Sequence, residues 1–209
     1  MAEATRLIAI RHGETDWNTQ SRLQGHTDIP LNARGRAQAA ALASALRDEG
    51  LTHVYCSDLG RAADTARAFA DPLGLPVVTD TALRERGFGQ MEGLTYRELD
   101  EGRPEWARRW RAREPDFTPP DGESLITLHA RVVAVAERLA RQHAGGCIAV
   151  VSHGGVLDSL YRAATGLALD APRSWQLGNA AINRLLYTGQ RFTLVGWNDA
   201  QHLDGLTPA

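Results

Sequence analysis

Four side chains suited to binding phosphate stand where apolar segments of this chain end. The apolar runs cover 7–10, 53–56 and 147–151, and a polar turn that contains glycine follows each of them. The four residues are Arg11, His12, Arg61 and His153. Ligands of open α/β sheets bind outside the carboxyl ends of the strands, so the sequence predicts one site that holds all four.

These residue types favour phosphoryl transfer. A neutral imidazole with one free nitrogen, as at His12, is able to attack phosphorus. Neighbouring arginines disfavour the imidazolium form and neutralise the incoming phosphate, and their planar fork matches two phosphate oxygens. Taken singly, His12 reads equally as a loop histidine, and Arg11 and Arg61 read as ordinary salt-bridging residues. Their common position at strand ends favours the phosphate site.

The elements that must position these residues alternate between strand and helix patterns. This alternation predicts an α/β fold, a three-layer α/β/α sandwich with a mostly parallel central sheet. Apolar residues at helical spacing over 39–46, 62–70 and 125–139 predict three of the helices, while 12–33 reads as a long polar loop. Residues 181–187 and 192–197 predict a terminal β-hairpin. We expect a single domain over 1–209, with a small, partly helical cap inserted at about 86–122.

Composition excludes several classes of function. A net charge of −2 gives no attraction to nucleic acid or to anionic membranes, and no apolar run approaches the roughly 20 residues of a membrane span. The segment 1–6 lacks the layout of a signal peptide. Cys56 and Cys147 lie in predicted buried strands, which indicates reduced thiols and a cytoplasmic protein, although a disulfide between adjacent strands remains open.

All 23 basic residues are arginine, and the chain has no lysine. Mechanisms that need a Walker A lysine, a Schiff-base lysine or a Ser-x-x-Lys nucleophile are therefore excluded. His12-Gly13-Glu14 matches the His-x-Glu of zinc deaminases, but no Pro-Cys-x-x-Cys follows it. With no ligand set visible, we expect neither a metal nor a cofactor.

Eight short motifs over residues 5 to about 184 resemble the histidine phosphatase superfamily, also called the phosphoglycerate mutase-like superfamily. In chain order they are Arg11-His12-Gly13-Glu14-Thr15, Trp17-Asn18, Leu23-Gln24-Gly25, Asp28-Ile29-Pro30-Leu31, Ser57-Asp58-Leu59 with Arg61, Leu83-Arg84-Glu85, Gly122-Glu123-Ser124 and Ser152-His153-Gly154-Gly155. The order matches that of the family, and together the motifs are far more specific than any one of them.

The resemblance implies a role for each matching residue. It makes His12 the nucleophile that accepts the phosphoryl group and Glu85 the proton donor to the leaving oxygen. The residues that line the phosphate pocket would be Arg11, Asn18, Gln24, Gly25, Arg61, His153 and Gly154. From the residues alone, Glu85 reads as an exposed carboxylate, Asn18 as a turn residue and His153 as a helix cap, and these alternatives stay open.

Two branches of the superfamily share the phosphohistidine step. The resemblance favours a phosphatase that acts on small phosphorylated metabolites, because Phe88 stands where the phosphoglycerate mutase has tyrosine and no lysine is available for its substrate. Arg108 and Arg109 could mimic the arginine pair of the mutase, so the mutase remains an alternative, as does a non-catalytic module that binds phospho-ligands. The oligomeric state cannot be inferred from the sequence.

The stretch from Trp106 to Arg113 is basic and aromatic. It includes Trp106, Arg108, Arg109, Trp110, Arg111 and Arg113. One interpretation is the solvated face of a helix. The other is a cap over the pocket that selects substrates with extra negative charge or a base.

Overall fold

A computed structural model of the protein describes residues 3–206, so the first two and last three residues of the expected domain 1–209 lie outside the described residues. The strands are β1 (Thr5–Arg11), β2 (His53–Cys56), β3 (Val77–Thr79), β4 (Cys147–Ser152), β5 (Ile182–Tyr187) and β6 (Phe192–Asp199). The α-helices are α1 (Asp16–Thr19), α2 (Ala33–Ala45), α3 (Gly60–Ala70), α4 (Tyr96–Gly102), α5 (Pro104–Arg111), α6 (Leu125–Gln142) and α7 (Gly154–Thr165). Short 3-10 turns cover Thr81–Leu83, Gly89–Met91 and Gln201–Leu203.

The strands form one six-stranded sheet in the order β3-β2-β4-β1-β5-β6. The pairs β2–β3, β2–β4 and β1–β4 are parallel, whereas β1–β5 and the terminal hairpin β5–β6 are antiparallel. The predicted α/β fold with its mostly parallel sheet and terminal hairpin is therefore confirmed.

Alternation along the strands creates the two faces of the sheet. In β1, Leu7 and Ala9 pack toward α6 and α7, while Ile8 and Ile10 pack toward α2 and α3. Because successive strand side chains point to opposite faces, a strand buried on both sides is apolar throughout. The result is the expected three-layer α/β/α sandwich.

A third apolar cluster lies outside the sandwich. It joins Leu23 of the long loop to residues of α4, α5 and the turns around them, namely Phe88, Met91, Leu99, Ala107 and Phe117. Thr95 begins α4 with a reciprocal capping box to Glu98. This cluster is the core of the expected helical cap. The loop 12–33 also contains the one-turn helix α1, which its polar sequence did not reveal.

Both cysteines are free and buried. Cys56 aligns with Val151 in the β2–β4 pairing, so Cys147, at the start of β4, lies four positions away along that strand. The disulfide left open above is absent, because residues so far apart along paired strands cannot bridge. Among residues 3–206, no helix is long and apolar enough to cross a membrane.

Candidate active site

The register of the sheet brings the two histidines together. Arg11 pairs with Ser152 at the ends of β1 and β4, so His12 and His153 follow on adjacent strands. Their ring centroids lie 5.2 Å apart. Arg61 comes from the first turn of α3, after β2, and is completely buried. The predicted grouping at one sheet edge is thus present in the structure.

The His12 ring is fixed in one tautomer. Its Nδ1 lies 2.7 Å from the carbonyl oxygen of Gly13. A carbonyl only accepts, so Nδ1 carries the proton and Nε2 keeps its lone pair. Burial and then the charges of Arg61 and Arg11 hold the pKa of His12 well below its usual range. The imidazole is therefore neutral and has one free nitrogen.

Both active-site guanidinium groups are held by backbone carbonyls. Arg61 donates from Nη1 to Thr27 O (2.9 Å) and from Nη2 to Gly25 O (2.7 Å). Arg11 donates from Nη1 to Leu177 O at 2.5 Å. The Nε atom of each arginine is buried and has no acceptor among residues 3–206. Leaving a buried donor unpaired is costly, and a bound anion removes that cost.

His153 stands at the start of α7 without capping it. Its side chain makes no cap hydrogen bond, and both ring nitrogens are buried without a partner in the described chain. Burial, followed by the charges of Arg61, His12 and Arg11, lowers the pKa of His153 well below its ordinary value. The side chain therefore does not cap the helix, and the ring is completely buried beside His12, at a helix start that favours anions.

Glu85 lines the cavity into which His12, Arg11 and Arg61 also face. The backbone N–H of Gly155 lies 3.0 Å from Oε1 and 3.1 Å from Oε2, and the N–H of Arg86 donates to Oε1 at 2.8 Å. The side chain of Arg84 turns away and forms a two-point ion pair with Asp58. Glu85 is half-buried and lines the cavity, so the interpretation as an exposed carboxylate is wrong.

All the predicted pocket residues except His153 line this cavity, which has a volume of about 860 Å³; besides those described above they are Asn18, Gln24, Gly25 and Gly154. Thr15 positions the side chains of Asn18 and Gln24, because its backbone N–H donates to Asn18 Oδ1 and its hydroxyl donates to Gln24 Oε1. Gly25 has a φ of +56°, and a Cβ there would lie 2.1 Å from Glu92 Oε1. The side-chain oxygens of Asn18 and Gln24 already accept hydrogen bonds from Thr15, which leaves their amide nitrogens as donors.

Two residues that support the walls of the site escaped sequence analysis. Glu92 accepts hydrogen bonds from the backbone of His26 and Thr27, both at 2.9 Å, and from the Thr27 hydroxyl at 2.6 Å. It thereby holds the loop whose backbone carbonyls accept hydrogen bonds from Arg61. Arg86 is buried beneath the Trp110 ring, donates only to carbonyls, and burial lowers its pKa to about 10. In the sequence, the position of Arg86 next to Glu85 was the one feature that could have indicated its place at the site.

Some residues of the basic, aromatic stretch line the cavity and others lie on the outer surface of the helix. Trp110, Arg111 and Arg113 line the cavity. Arg108 and Arg109 pair instead with carboxylates, chiefly that of Glu114, and do not line it. Arg108 and Arg109 therefore do not reproduce the arginine pair of a phosphoglycerate mutase. Within the described part of the chain, no three metal-ligating side chains form a cluster.

Known proteins resemble this chain in both sequence and structure. A family model described as "Histidine phosphatase superfamily (branch 1)" matches residues 7–200. The chain is 40% identical over 202 residues to phosphoglycerate mutase-like protein 4 of Arabidopsis thaliana, covering 95% of this chain and 86% of that protein. The structure of YhfR of Bacillus stearothermophilus superposes with a TM-score of 0.89 at 30% identity, over 96% of this chain and 100% of that one. A mycobacterial glucosyl-3-phosphoglycerate phosphatase superposes with a TM-score of 0.82 at 35% identity, over 93% and 99% of the two chains.

Proposed function

The chain belongs to the histidine phosphatase superfamily, and on that premise we propose that it hydrolyses small phosphomonoesters through a phosphohistidine intermediate on His12. One observation carries this proposal. The Nδ1–H of His12 is tied to Gly13, so a neutral Nε2 lies free beside Arg11 and Arg61. Such a nitrogen is the nucleophile that phosphoryl transfer requires, and the arginines offset the charge of the phosphate that it attacks.

The proposed reaction has two steps. In the first, His12 Nε2 forms a bond to phosphorus as the ester oxygen leaves, and Glu85 gives that oxygen its proton. In the second, the Glu85 carboxylate takes a proton from water while the water oxygen displaces His12 from phosphorus. Arg11, Arg61 and His153 stabilise the transferring group in both steps, which is the main source of catalysis in such reactions. The products are an alcohol and inorganic phosphate.

Phosphoglycerate mutase is the second candidate, because curated relatives are named for it. The two reactions differ in whether water or a second phosphoglycerate attacks phospho-His12. Three observations favour water: Phe88 in place of the tyrosine, the lack of lysine, and the position of Arg108 and Arg109 away from the cavity. The named phosphatase with a similar structure adds support. The two free, buried thiols support our proposal of a cytoplasmic setting.

The test is phosphate release from a panel of small phosphomonoesters, with chelator present, by wild type and His12→Ala. We expect hydrolysis that is insensitive to chelator and is lost in the variant. Rapid quenching should trap an acid-labile phosphoenzyme that His12→Ala does not form. Transfer of phosphate within glycerate, without release, would instead establish the mutase. Binding of phosphate with neither reaction would establish a binding module.

A further inference from the structure

The segment 176–180 lies between α7 and β5, and its first three residues line the active-site cavity. The carbonyl oxygen of Leu177 accepts the hydrogen bond from the Arg11 guanidinium described above. The backbone N–H of Ala180 donates to the carbonyl oxygen of Arg11 at 3.0 Å. This segment therefore holds both the side chain and the backbone of Arg11, although the proposed reaction assigns the segment no role.

Asn179 lies behind this wall of the cavity and contacts two residues of the site. Its Nδ2 lies 3.0 Å from His12 O and 3.2 Å from Asn18 Oδ1, while Asn179 itself does not line the cavity. A backbone carbonyl only accepts, so the atom that faces His12 O is the amide nitrogen. That nitrogen carries two hydrogens, and Asn179 therefore donates to both oxygens at once.

The contact with Asn179 determines where the Thr15 hydroxyl donates. Thr15 Oγ1 lies 3.1 Å from Asn18 Oδ1 and 3.1 Å from Gln24 Oε1, but a hydroxyl has only one hydrogen to donate. Asn18 Oδ1 already accepts from the backbone N–H of Thr15 at 3.0 Å and from Asn179. The hydroxyl is therefore free to donate to Gln24, and both amide oxygens are satisfied.

The orientation of the Asn18 and Gln24 amides matters because a phosphate anion accepts hydrogen bonds. The amide nitrogens can donate to it, whereas the amide oxygens would repel it. The two ends of a carboxamide have nearly the same shape, so packing does not distinguish them and the hydrogen-bond partners do. The donors of Asn179 and Thr15 thus decide which end of each amide is available to the phosphate.

The segment that carries Asn179 is held by two asparagines that connect it to the central sheet. The N–H of Gly178 donates to Asn198 Oδ1 at 2.8 Å, and the N–H of Asn198 donates to Asn183 Oδ1 at 2.8 Å. Asn183 is buried, and its Nδ2 donates to Ala9 O in β1 at 2.9 Å. Asn198 has a φ of +56°, a left-handed conformation that a non-glycine residue keeps where its surroundings require it. The segment is therefore anchored to the strand that leads into the nucleophile.

We propose that Asn179 is a positioning residue that sets the orientation of the phosphate-binding amides. It directs Asn18 Nδ2 toward the phosphate by donating to Asn18 Oδ1, and it leaves the Thr15 hydroxyl to orient Gln24 in the same way. Its second hydrogen holds the backbone of His12, so the nucleophile and the amide donors share one support. The inference rests on the proposed function, because it concerns the pocket in which the phosphoryl group is transferred.

Asn179→Asp is the informative variant, because it keeps the shape of the side chain and removes both donors. An ionised carboxylate only accepts, so at about pH 8 the variant places an acceptor against His12 O and Asn18 Oδ1. The Asn18 amide should then turn, so that its nitrogen faces the new carboxylate and its oxygen faces the phosphate. We expect kcat/KM for p-nitrophenyl phosphate to fall by roughly 10²-fold, as for the loss of one oxyanion donor, and the inhibition constant of inorganic phosphate to rise.

Ser174→Asp is the matched control for the added negative charge. Ser174 is exposed in the same connection between α7 and β5, and it does not line the cavity. Solvent and salt screen a charge at such a position, so kcat/KM should stay within about twofold of wild type. A loss in Ser174→Asp as large as that in Asn179→Asp would assign the effect to charge and overturn the proposal.

A double-mutant cycle separates orientation of the Asn18 amide from support of the loop. Asn18→Ala removes the amide that Asn179 orients, so adding Asn179→Asp should then reduce activity much less. We expect the loss in the double variant to be at least roughly tenfold smaller than the product of the two single losses. Losses that multiply would overturn the proposal, because a residue that only supports the loop acts independently of Asn18.

Nuclear magnetic resonance observes the Asn18 amide directly. Its side-chain NH2 signals, assigned by their loss in Asn18→Ala, should shift when inorganic phosphate is added to wild type. The shift should be largely absent in Asn179→Asp. If that variant does not fold, Asn179→Ala removes the same donors without adding charge, and the shift should shrink in it as well. A shift of wild-type size in the folded variant, or no shift in wild type, would overturn the proposal.

These outcomes differ from a failure of the proposed function. If the losses multiply and His12→Ala still abolishes hydrolysis of p-nitrophenyl phosphate, the phosphatase stands and Asn179 has no positioning role. Wild type that releases no phosphate from any ester would instead count against the proposed function. The NMR titration would still test the positioning role in that case, because it requires binding of phosphate and no turnover.

Discussion

The backbone N–H of Gly155 is shared by both carboxylate oxygens of Glu85, at 3.0 and 3.1 Å. This contact joins the start of α7, which carries His153, to a chain segment about 70 positions earlier. The carboxylate is thereby held at the wall of the cavity beside Arg11. The proposed proton donor is positioned by a glycine, and both residues can be tested.

Gly155→Ala should displace Glu85. A Cβ at this position would lie 2.3 Å from Oε1, far inside any normal contact. We expect kcat for alkyl phosphates to fall by roughly 10²-fold, the lower end of what a general acid contributes. Gly102→Ala is the control, because a Cβ there meets nothing within 4 Å. A Gly155→Ala enzyme with wild-type turnover would contradict this positioning.

Glu85→Gln should affect substrates according to their leaving groups. An alkoxide needs protonation as it departs, so turnover of alkyl phosphates should drop by roughly 10²–10⁴. An activated aryl phosphate, whose leaving group is stable as an anion, should lose much less. Steady-state kinetics on the two substrate types checks the prediction. Equal losses on both would exclude Glu85 as the proton donor.

Arg61→Ala should cost transition-state stabilisation of about 3 kcal/mol, comparable to the loss of one preorganised oxyanion donor. The side chain is fully buried and positions its Nε–H without a protein acceptor. Arg67→Ala, on the same helix, is the matched control, because Arg67 is exposed and pairs only with Asp64. Measured kcat/KM should separate the two variants by about two orders of magnitude. Similar values would remove Arg61 from the phosphate pocket.

His153 should make folding sensitive to acid. Its pKa is lowered in the folded protein, so below the ordinary value of about 6.5 the unfolded chain binds a proton that the folded chain does not. The free energy of unfolding should therefore fall with pH below about 6.5, by about 1.4 kcal/mol per pH unit for this group. Urea denaturation of His153→Gln should show a shallower slope by that amount. An unchanged slope would show that the ring is protonated in the folded state.

The strand-end residues were predictable because they obey a rule of topology. Parallel strands deliver their carboxyl ends to one edge, so His12, Arg61 and His153 had to meet once the three strands were recognised. No atomic detail was needed for that step. The fold class followed from the same alternation of strands and helices.

Glu92 and Arg113 were not predictable from local pattern. Glu92 acts on His26 and Thr27 through hydrogen bonds that span about 65 positions, and no periodicity records such a contact. Arg113 faces the cavity while Arg108 does not, because α5 ends at Arg111 and the chain then turns at a left-handed residue. In a segment where half of the residues from Trp106 to Arg113 are arginine, composition does not indicate which side faces inward.

Alkylation of the buried thiols of Cys56 and Cys147 can measure how often the folded protein opens. Both sit at the centre of the sandwich, 0% and 1% exposed, and burial raises the pKa of Cys56 to about 12. Only the thiolate reacts with alkylating reagents, so the native state should resist them. The rate of alkylation therefore measures how often the central sheet separates, without any engineered label. Phosphate or a substrate analogue should slow that rate in proportion to its binding, which gives an assay for ligands that is independent of turnover.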